Sequence, residues 1–120
     1  MIGGGTGWWS LVHIDDAAAA TAIAVERGDP GVYNIVDDEP APVSEWLPTL
    51  AASVGAKPPL RVPKWLALPL AGKHLVTMMT EVRAGSNAKA KRVLGWQPVH
   101  RSWRAGFGAA LRAGQLALTA

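Results

Sequence analysis

Leu11-Val12-His13-Ile14-Asp15-Asp16-Ala17-Ala18-Ala19-Ala20 changes character halfway along. Its first half is rich in β-branched and apolar residues, its second is a run of alanines, and two carboxylates stand at the join. That is the pattern of a strand feeding a helix. The strand is expected over Trp8 to Ile14. Asp15 is placed to cap the helix, its carboxylate accepting from the free N–H groups of the first turn, and Asp16 adds favourable negative charge there. The helix should run through Ala17–Arg27 and stop at Gly28, with Asp29-Pro30-Gly31 as the turn. Nearly all its side chains are alanine, so whatever it packs against must approach closely.

Working outward, Gly3-Gly4-Gly5-Thr6-Gly7 precedes the strand as a loop. Val32-Tyr33-Asn34-Ile35-Val36 follows the turn and is apolar on both faces except at Asn34. This suits a strand covered on both sides, as in a parallel sheet. After Asp37-Asp38-Glu39-Pro40-Ala41, Pro42 fits the first position of a second helix. Val43, Trp46, Leu47, Leu50, Ala51 and Val54 form its apolar stripe, Pro48 should kink it, and Gly55 ends it. Leu60-Arg61-Val62 reads as a third short strand. Pro63 opens another helix, limited by Pro69 or Gly72, with Lys73–Met79 as a further helical piece. Ser86 or Asn87 caps a short basic helix, Ala88–Leu94, closed by Gly95. Ser102 caps the last helix, with Trp103, Phe107, Ala110 and Leu111 on its buried side.

Two or three short strands with about five helices, in the order strand, helix, strand, helix and then mostly helices, make the tail of an α/β layer fold. So few strands do not form a self-sufficient parallel sheet, and open edges invite association. The expectation is a single incomplete domain over 1–120. Residues 1–56 would be late strand–helix units of a sheet, residues 57–120 a mostly helical lobe, and the rest of the sheet would lie upstream.

Composition narrows the chemistry. The 120 residues suffice for one small core, but 21 are alanine, so burial is concentrated at Trp8, Trp9, Trp46, Trp65, Trp96 and Trp103. The absence of cysteine excludes disulfides, thiolate zinc sites and a thiol nucleophile. Met1–Gly5 lacks a secretory pattern, and the apolar region Trp65–Met79 is broken by Pro69, Gly72, Lys73 and His74. A cytoplasmic protein with no membrane partner is expected. The net charge of +3 divides unevenly: residues 1–81 hold five Lys/Arg against nine Asp/Glu, and residues 82–120 hold seven Lys/Arg and no acid. Such a split points either to an anionic partner or to a basic face set against an acidic lobe of the same protein.

Four short motifs follow the glycine-rich loop in order: Ser10-x-x-His13-Ile14-Asp15-Asp16-Ala17-Ala18, Gly31-Val32-Tyr33-Asn34-Ile35-Val36-Asp37-Asp38-Glu39-Pro40, Arg83-x-Gly85-Ser86-Asn87-x-Lys89-Ala90, and Leu94-Gly95-Trp96-x-Pro98. From about Gly3 to Phe107 the chain resembles the C-terminal portion of the extended short-chain dehydrogenase/reductase family. These are NAD-dependent epimerase/dehydratases that act largely on nucleotide sugars. The resemblance implies the C-terminal part of a Rossmann-like fold, lacking its N-terminal dinucleotide-binding units. It implies NAD or NADP in the full-length family, with none expected to bind this chain alone. It also implies a small-molecule substrate, possibly phosphorylated, and as partner either an N-terminal cofactor domain or a separate chain.

By the same resemblance Arg83 contacts a substrate pyrophosphate, for which a guanidinium fork is better suited than an ammonium. Ser86 and Asn87, at a helix start, also favour an anion, and His13 lies beside the active site where it touches substrate. The alternative for Arg83 is an ion pair with Glu81. Relatives that act on sugars often carry Asp where Ser86 or Asn87 stands, a departure that bears on substrate class.

Two further departures concern catalysis. A dinucleotide fingerprint needs glycines directly after a first strand. Gly4-Gly5-Thr6-Gly7-Trp8-Trp9-Ser10 lacks the third glycine, has no strand ahead of it, and places bulky Trp8 at the approach. The family's tyrosine with a lysine four residues later is absent, since the only tyrosine is Tyr33 and residue 37 is Asp. No catalytic residue is assigned, and no turnover by this chain alone is expected.

His13, Asp15 and Asp16 could form a metal or base–carboxylate constellation. However, the cap role accounts for Asp15, and neither His74 nor His100 has a spacing that brings it in, so no metal ligand is assigned. Asp37-Asp38-Glu39 supplies negative charge ahead of the second helix. A different class of function remains open: a stand-alone basic interaction module for nucleic acid or a protein partner. It would use Lys89, Lys91, Arg92, Arg101 and Arg104, with Trp96 and Trp103 as stacking platforms. Nucleic acid is disfavoured because those tryptophans occupy positions where a core role is commoner. A third possibility is a non-catalytic partner that completes the sheet of a separately made cofactor domain.

Overall fold

The computed structural model describes residues 1–108. Trp8–Trp9 (β1) pairs antiparallel with Ala41–Pro42 (β2), Trp8 opposite Pro42 and Trp9 opposite Ala41. Between and beyond them lie Ile14–Arg27 (α1), Val43–Ser53 (α2), Lys64–Thr80 (α3) and Ala88–Leu94 (α4). Residues 103–108 are also helical. A parallel bridge joins Ile2 to Val62, where the third strand was expected. The α/β character, with two short strands and mainly helices, is as anticipated.

The first junction differs from expectation. Only Trp8–Trp9 of the expected strand is laddered, and the chain is already helical at Ile14. His13, not Asp15, caps α1: its Nδ1 accepts the N–H of Asp15 at 3.3 Å. Val32–Val36 is extended but is not a strand, because none of its N–H groups meets a backbone or side-chain acceptor among the described residues. An extended segment becomes a strand only through a neighbour. It is held instead from one side by α4. Lys89 Nζ donates to Val32 O at 2.9 Å and Asn87 Nδ2 to Val36 O at 2.8 Å.

The helix ends fall where glycine and proline put them. Gly28 closes α1, its N–H reaching Ala24 O at 3.0 Å. A Cβ there would meet that oxygen at 2.6 Å, so the close is tight enough to require glycine. Gly72, with φ 79° and ψ 160°, breaks α3 into two pieces. Gly95 ends α4 in the left-handed conformation. Of the residues expected on the buried side of the last helix, Trp103 is buried and Phe107 packs against it, while Ala110 and Leu111 lie outside the described residues.

Apolar burial falls into three clusters. Ala20 of α1 meets Ala90, Leu94 and Trp96, the last only 1 % exposed, and the alanines let α1 and α4 approach closely as the sequence requires. Val43, Trp46 and Trp103 gather with Ala41 under β2 and α2. Ile2, Ala67 and Val76 pack at α3. Around these clusters Ile14, Val25, Val32, Trp65 and Leu70 remain exposed, a larger apolar surface than a covered α/β core leaves open.

Candidate functional site

A cleft of about 260 Å³ opens where the extended segment ending at His13 meets the chain around His100 and the helical turn at 103–107. Leu11, Val12, Ile14, Trp103 and Phe107 make its walls apolar, and His13, His100, Asp37 and Ser102 are its polar members.

The two histidines are stacked, ring centroids 3.8 Å apart and planes 20° apart. Each is fixed through Nδ1. That of His13 accepts the Asp15 N–H, and that of His100 lies 3.1 Å from Asp16 Oδ2. A carboxylate only accepts, so His100 Nδ1 carries a proton, and in the neutral ring Nε2 is then an acceptor. His13, accepting at Nδ1, presents Nε2–H as a donor. Asp16 is itself 2 % exposed. Burial opposes its charge, but the N–H groups of Val99 and His100, each at 2.8 Å, and the His100 ring outweigh it and hold the carboxyl below its ordinary range. Asp16 O also takes the Trp96 indole N–H at 3.1 Å. One aspartate thus ties the start of α1 to the whole segment 96–100.

Asp37, 4 % exposed, behaves oppositely. Burial raises its carboxyl above the usual range, against the N–H groups of Glu39 and Trp103 that stabilise its charge, and the neighbouring Glu39 and Asp38 push it further up. The Trp103 indole N–H is buried with no acceptor among the described residues, as is that of Trp46.

The structure separates the four residues singled out by resemblance. His13 lines the cleft. Asn87 stands behind it: its side-chain amide donates to Val36 O at 2.8 Å, to Asp38 Oδ1 at 2.7 Å and to Asp37 O at 3.2 Å. Ser86 turns inward on its own loop, its Oγ accepting the Ala88 N–H at 3.3 Å and its carbonyl accepting from Asn34. Arg83 is exposed and makes no ion pair among the described residues, and the expected partner Glu81 lies 3.7 Å from Lys64 instead. The segment bearing Arg83 runs beside the cleft's first wall. Trp8 N–H donates to Val82 O at 2.7 Å and Gly85 N–H to Ser10 Oγ at 3.0 Å.

Sequence reasoning missed His100 and Asp37 as site residues, and it dismissed the very contact, His13 with His100, that organises the cleft. No spacing rule brings residues so far apart together; only the fold of the loop after Gly95 does.

The basic tail is turned on the acidic lobe. Lys91 pairs with Asp38, and Arg104 with both Glu39 and Glu45. Contact with Ser102 and Arg104 holds Glu39 below the ordinary range, as Lys91 and Asn87 hold Asp38. Trp96 and Trp103, the supposed stacking platforms, are buried. The glycine-rich loop is likewise occupied by protein. A Cβ on Gly7 would meet Met78 O at 2.6 Å, and one on Gly5 would meet Ser44 N at 2.9 Å. These glycines admit the ends of α3 and α2, and the residues present do not fit a phosphate cradle. Among the described residues no cluster of three His, Cys, Asp or Glu is placed to hold a metal, and no helix is long and apolar enough to cross a membrane.

No protein-family model matches the chain. Over 105 residues, 88 % of its length, it is 44 % identical to the 3-diazoavenalumate denitrifying reductase of a Streptomyces species, of which it covers 34 %. Its fold matches human epimerase family protein SDR39U1, solved with NADPH, at a TM-score of 0.74 and 23 % identity over 90 % of this chain and 37 % of that one. It matches UDP-glucose 4-epimerase of Thermotoga maritima, solved with UDP-glucose, at 0.71 and 26 % identity over 98 % of this chain and 35 % of that one. The chain therefore spans about a third of the length of the relatives it matches. Its fold is that of the C-terminal portion of NAD-dependent epimerases of the extended short-chain dehydrogenase/reductase type, which it matches over about a third of their length.

Proposed function

We propose that these residues form the substrate lobe of an NAD(P)-dependent epimerase/dehydratase-like oxidoreductase. The cofactor and the hydride chemistry belong to a preceding dinucleotide-binding portion, or to a separate chain that supplies it, and the lobe is catalytically silent alone. One observation carries the proposal: Val32–Val36 is an extended segment whose N–H groups find no acceptor among the described residues, beside an 84 % exposed Val32. A neighbouring parallel strand would pair these N–H groups and cover the exposed apolar side chain. In this reading residues 1–56 complete the cofactor sheet and residues 57–120 cap the substrate. His13 faces the substrate from the cleft, and Arg83, exposed and without an ion pair among the described residues, is offered to an anionic substituent. Asn87 positions the loop that carries Asp37, and Ser86 stands beside it at the start of α4. The 44 % identity to a reductase supports reductive chemistry over action on a nucleotide sugar.

The test is titration of the isolated chain with NADH and NADPH, followed by nicotinamide fluorescence. No saturable binding is expected. Tight binding of either would place a cofactor cleft within this chain and overturn the proposal.

A further inference from the structure

The cleft beside His13 has a shape and a polarity that define a ligand class. Its volume of about 260 Å³ exceeds the roughly 150 Å³ of a cavity that holds one benzene ring. It is too small for a whole nucleotide sugar, and its walls are aliphatic and aromatic, with Trp103 and Phe107 rings 5.4 Å apart and tilted by 54°. Such a space suits a planar molecule of one or two rings.

The polar groups are as specific. Asp15 and Asp16 hold the Nδ1 atoms of the stacked histidines, which leaves one Nε2–H donor on His13 and one Nε2 acceptor on His100. The Cδ2 edge of His13, next to its Nε2, faces Gly106 at the cleft wall, 3.8 Å from where a Cβ would stand. An aromatic hydroxyl can accept from the first ring and donate to the second at once.

We infer that this cleft binds a hydroxylated planar aromatic, a phenol of one or two rings, its hydroxyl at the Nε2 edges of the stacked His13 and His100 and its ring against Trp103 and Phe107. The inference takes the proposed function as its setting, since it names the substrate class of that lobe. The two fail separately, because one is read by the cofactor titration and the other by the measurements below.

The probes are 2-naphthol and naphthalene, which differ only in the hydroxyl, titrated into the 120-residue chain and followed by naphthol fluorescence and by ligand-observed NMR. Saturable binding of 2-naphthol is expected, with naphthalene weaker by about tenfold or more, because the site's polar groups are then left unpaired. Equal affinity for the two, or no saturable naphthol binding, overturns the inference. Gly106→Leu fills the cleft from the helical turn at 103–108, where leucine is a better helix former than glycine. It should abolish binding while circular dichroism stays unchanged, and undiminished binding by the folded variant overturns the inference. Should that variant not fold, nuclear Overhauser contacts from naphthol in the unmodified chain decide the matter. Contacts to Trp103 and Phe107 support the site, and contacts to exposed Trp65 in their place refute it.

Discussion

Asp16 and His100, eighty-four residues apart, are joined twice: the backbone N–H of His100 reaches Asp16 Oδ2 at 2.8 Å, and its ring Nδ1 reaches the same oxygen at 3.1 Å. With Val99 N–H on Oδ1, the buried carboxylate has a donor on each oxygen, which explains its charge in an apolar setting. It also explains why the two acids at the head of α1 are not equivalent. Asp15 is exposed and lends only its N–H to the cap, whereas Asp16 anchors the cleft.

Replacing Asp16 by Ala strands two amide donors and a ring N–H, and should destabilise the chain by about 3 kcal/mol in urea denaturation. The folded-state pKa of Asp16 is depressed, so its contribution is complete above the ordinary aspartate range and is lost as pH falls through the folded value. Asp16→Asn should therefore flatten the acid limb of stability against pH. An unchanged limb would show that the carboxylate is not the titrating anchor.

Asp37 has the opposite sign. Its folded-state pKa is raised, so stability gained at low pH is lost as pH rises from the ordinary aspartate range through the folded value, and is constant above it. Asp37→Asn should remove this falling segment. The check is the same urea series, read just above the ordinary aspartate range.

Asn87→Ala removes a clamp of three contacts on residues 36–38 and should cost about 1–3 kcal/mol. Asn87→Asp should be worse than Ala, because it replaces a donor by a carboxylate facing two carbonyls and the Asp38 carboxylate, 2.7 Å from the present amide nitrogen. Thermal melts of the two variants order them. The reverse order would mean that the amide is not the donor.

Gly7→Ala drives a methyl group into the backbone at Met78–Thr80, with all three nearest atoms main-chain and within 3.0 Å. Backbone does not rotate away as a side chain does, so a loss of about 1–3 kcal/mol is expected. If melting shows no loss, the loop is free and its glycines are available to a ligand after all.

Amide hydrogen exchange tests the open edge directly. The N–H groups of Val32 to Val36 should exchange far faster than that of Trp8, which is bonded to Val82 O at 2.7 Å. They should gain protection if the chain is joined to the dinucleotide-binding portion proposed above. Slow exchange in the isolated chain would mean that a partner is already present, as in a self-associated form.

Much of this architecture was legible in the sequence because it depends on local chemistry. Gly72 and Gly95 set helix limits through backbone freedom and Gly28 through the space a Cβ would need, and alanines at 17–20 announced a close contact later filled by Ala90. The cap of α1 was misassigned because two residues with capping side chains stand two apart, and the backbone path chose His13. The cleft was half legible. His13 lies in a recognisable motif, but His100 and Asp37 reach it through hydrogen bonds to the loops at 96–103 and 36–38, which no periodicity encodes. The motif marked Asn87 as a residue of interest, and its amide is bonded to Val36, Asp37 and Asp38, contacts that no spacing in the sequence reveals.

Among the described residues the three apolar clusters share no residue, so no single buried cluster there links α1, α2 and α3. Each can melt at its own temperature unless something bridges them. Attachment of the proposed cofactor sheet would then do more than supply a cofactor: it would convert a loosely coupled assembly into one that unfolds in a single step, and assembly would become the act that sharpens the transition.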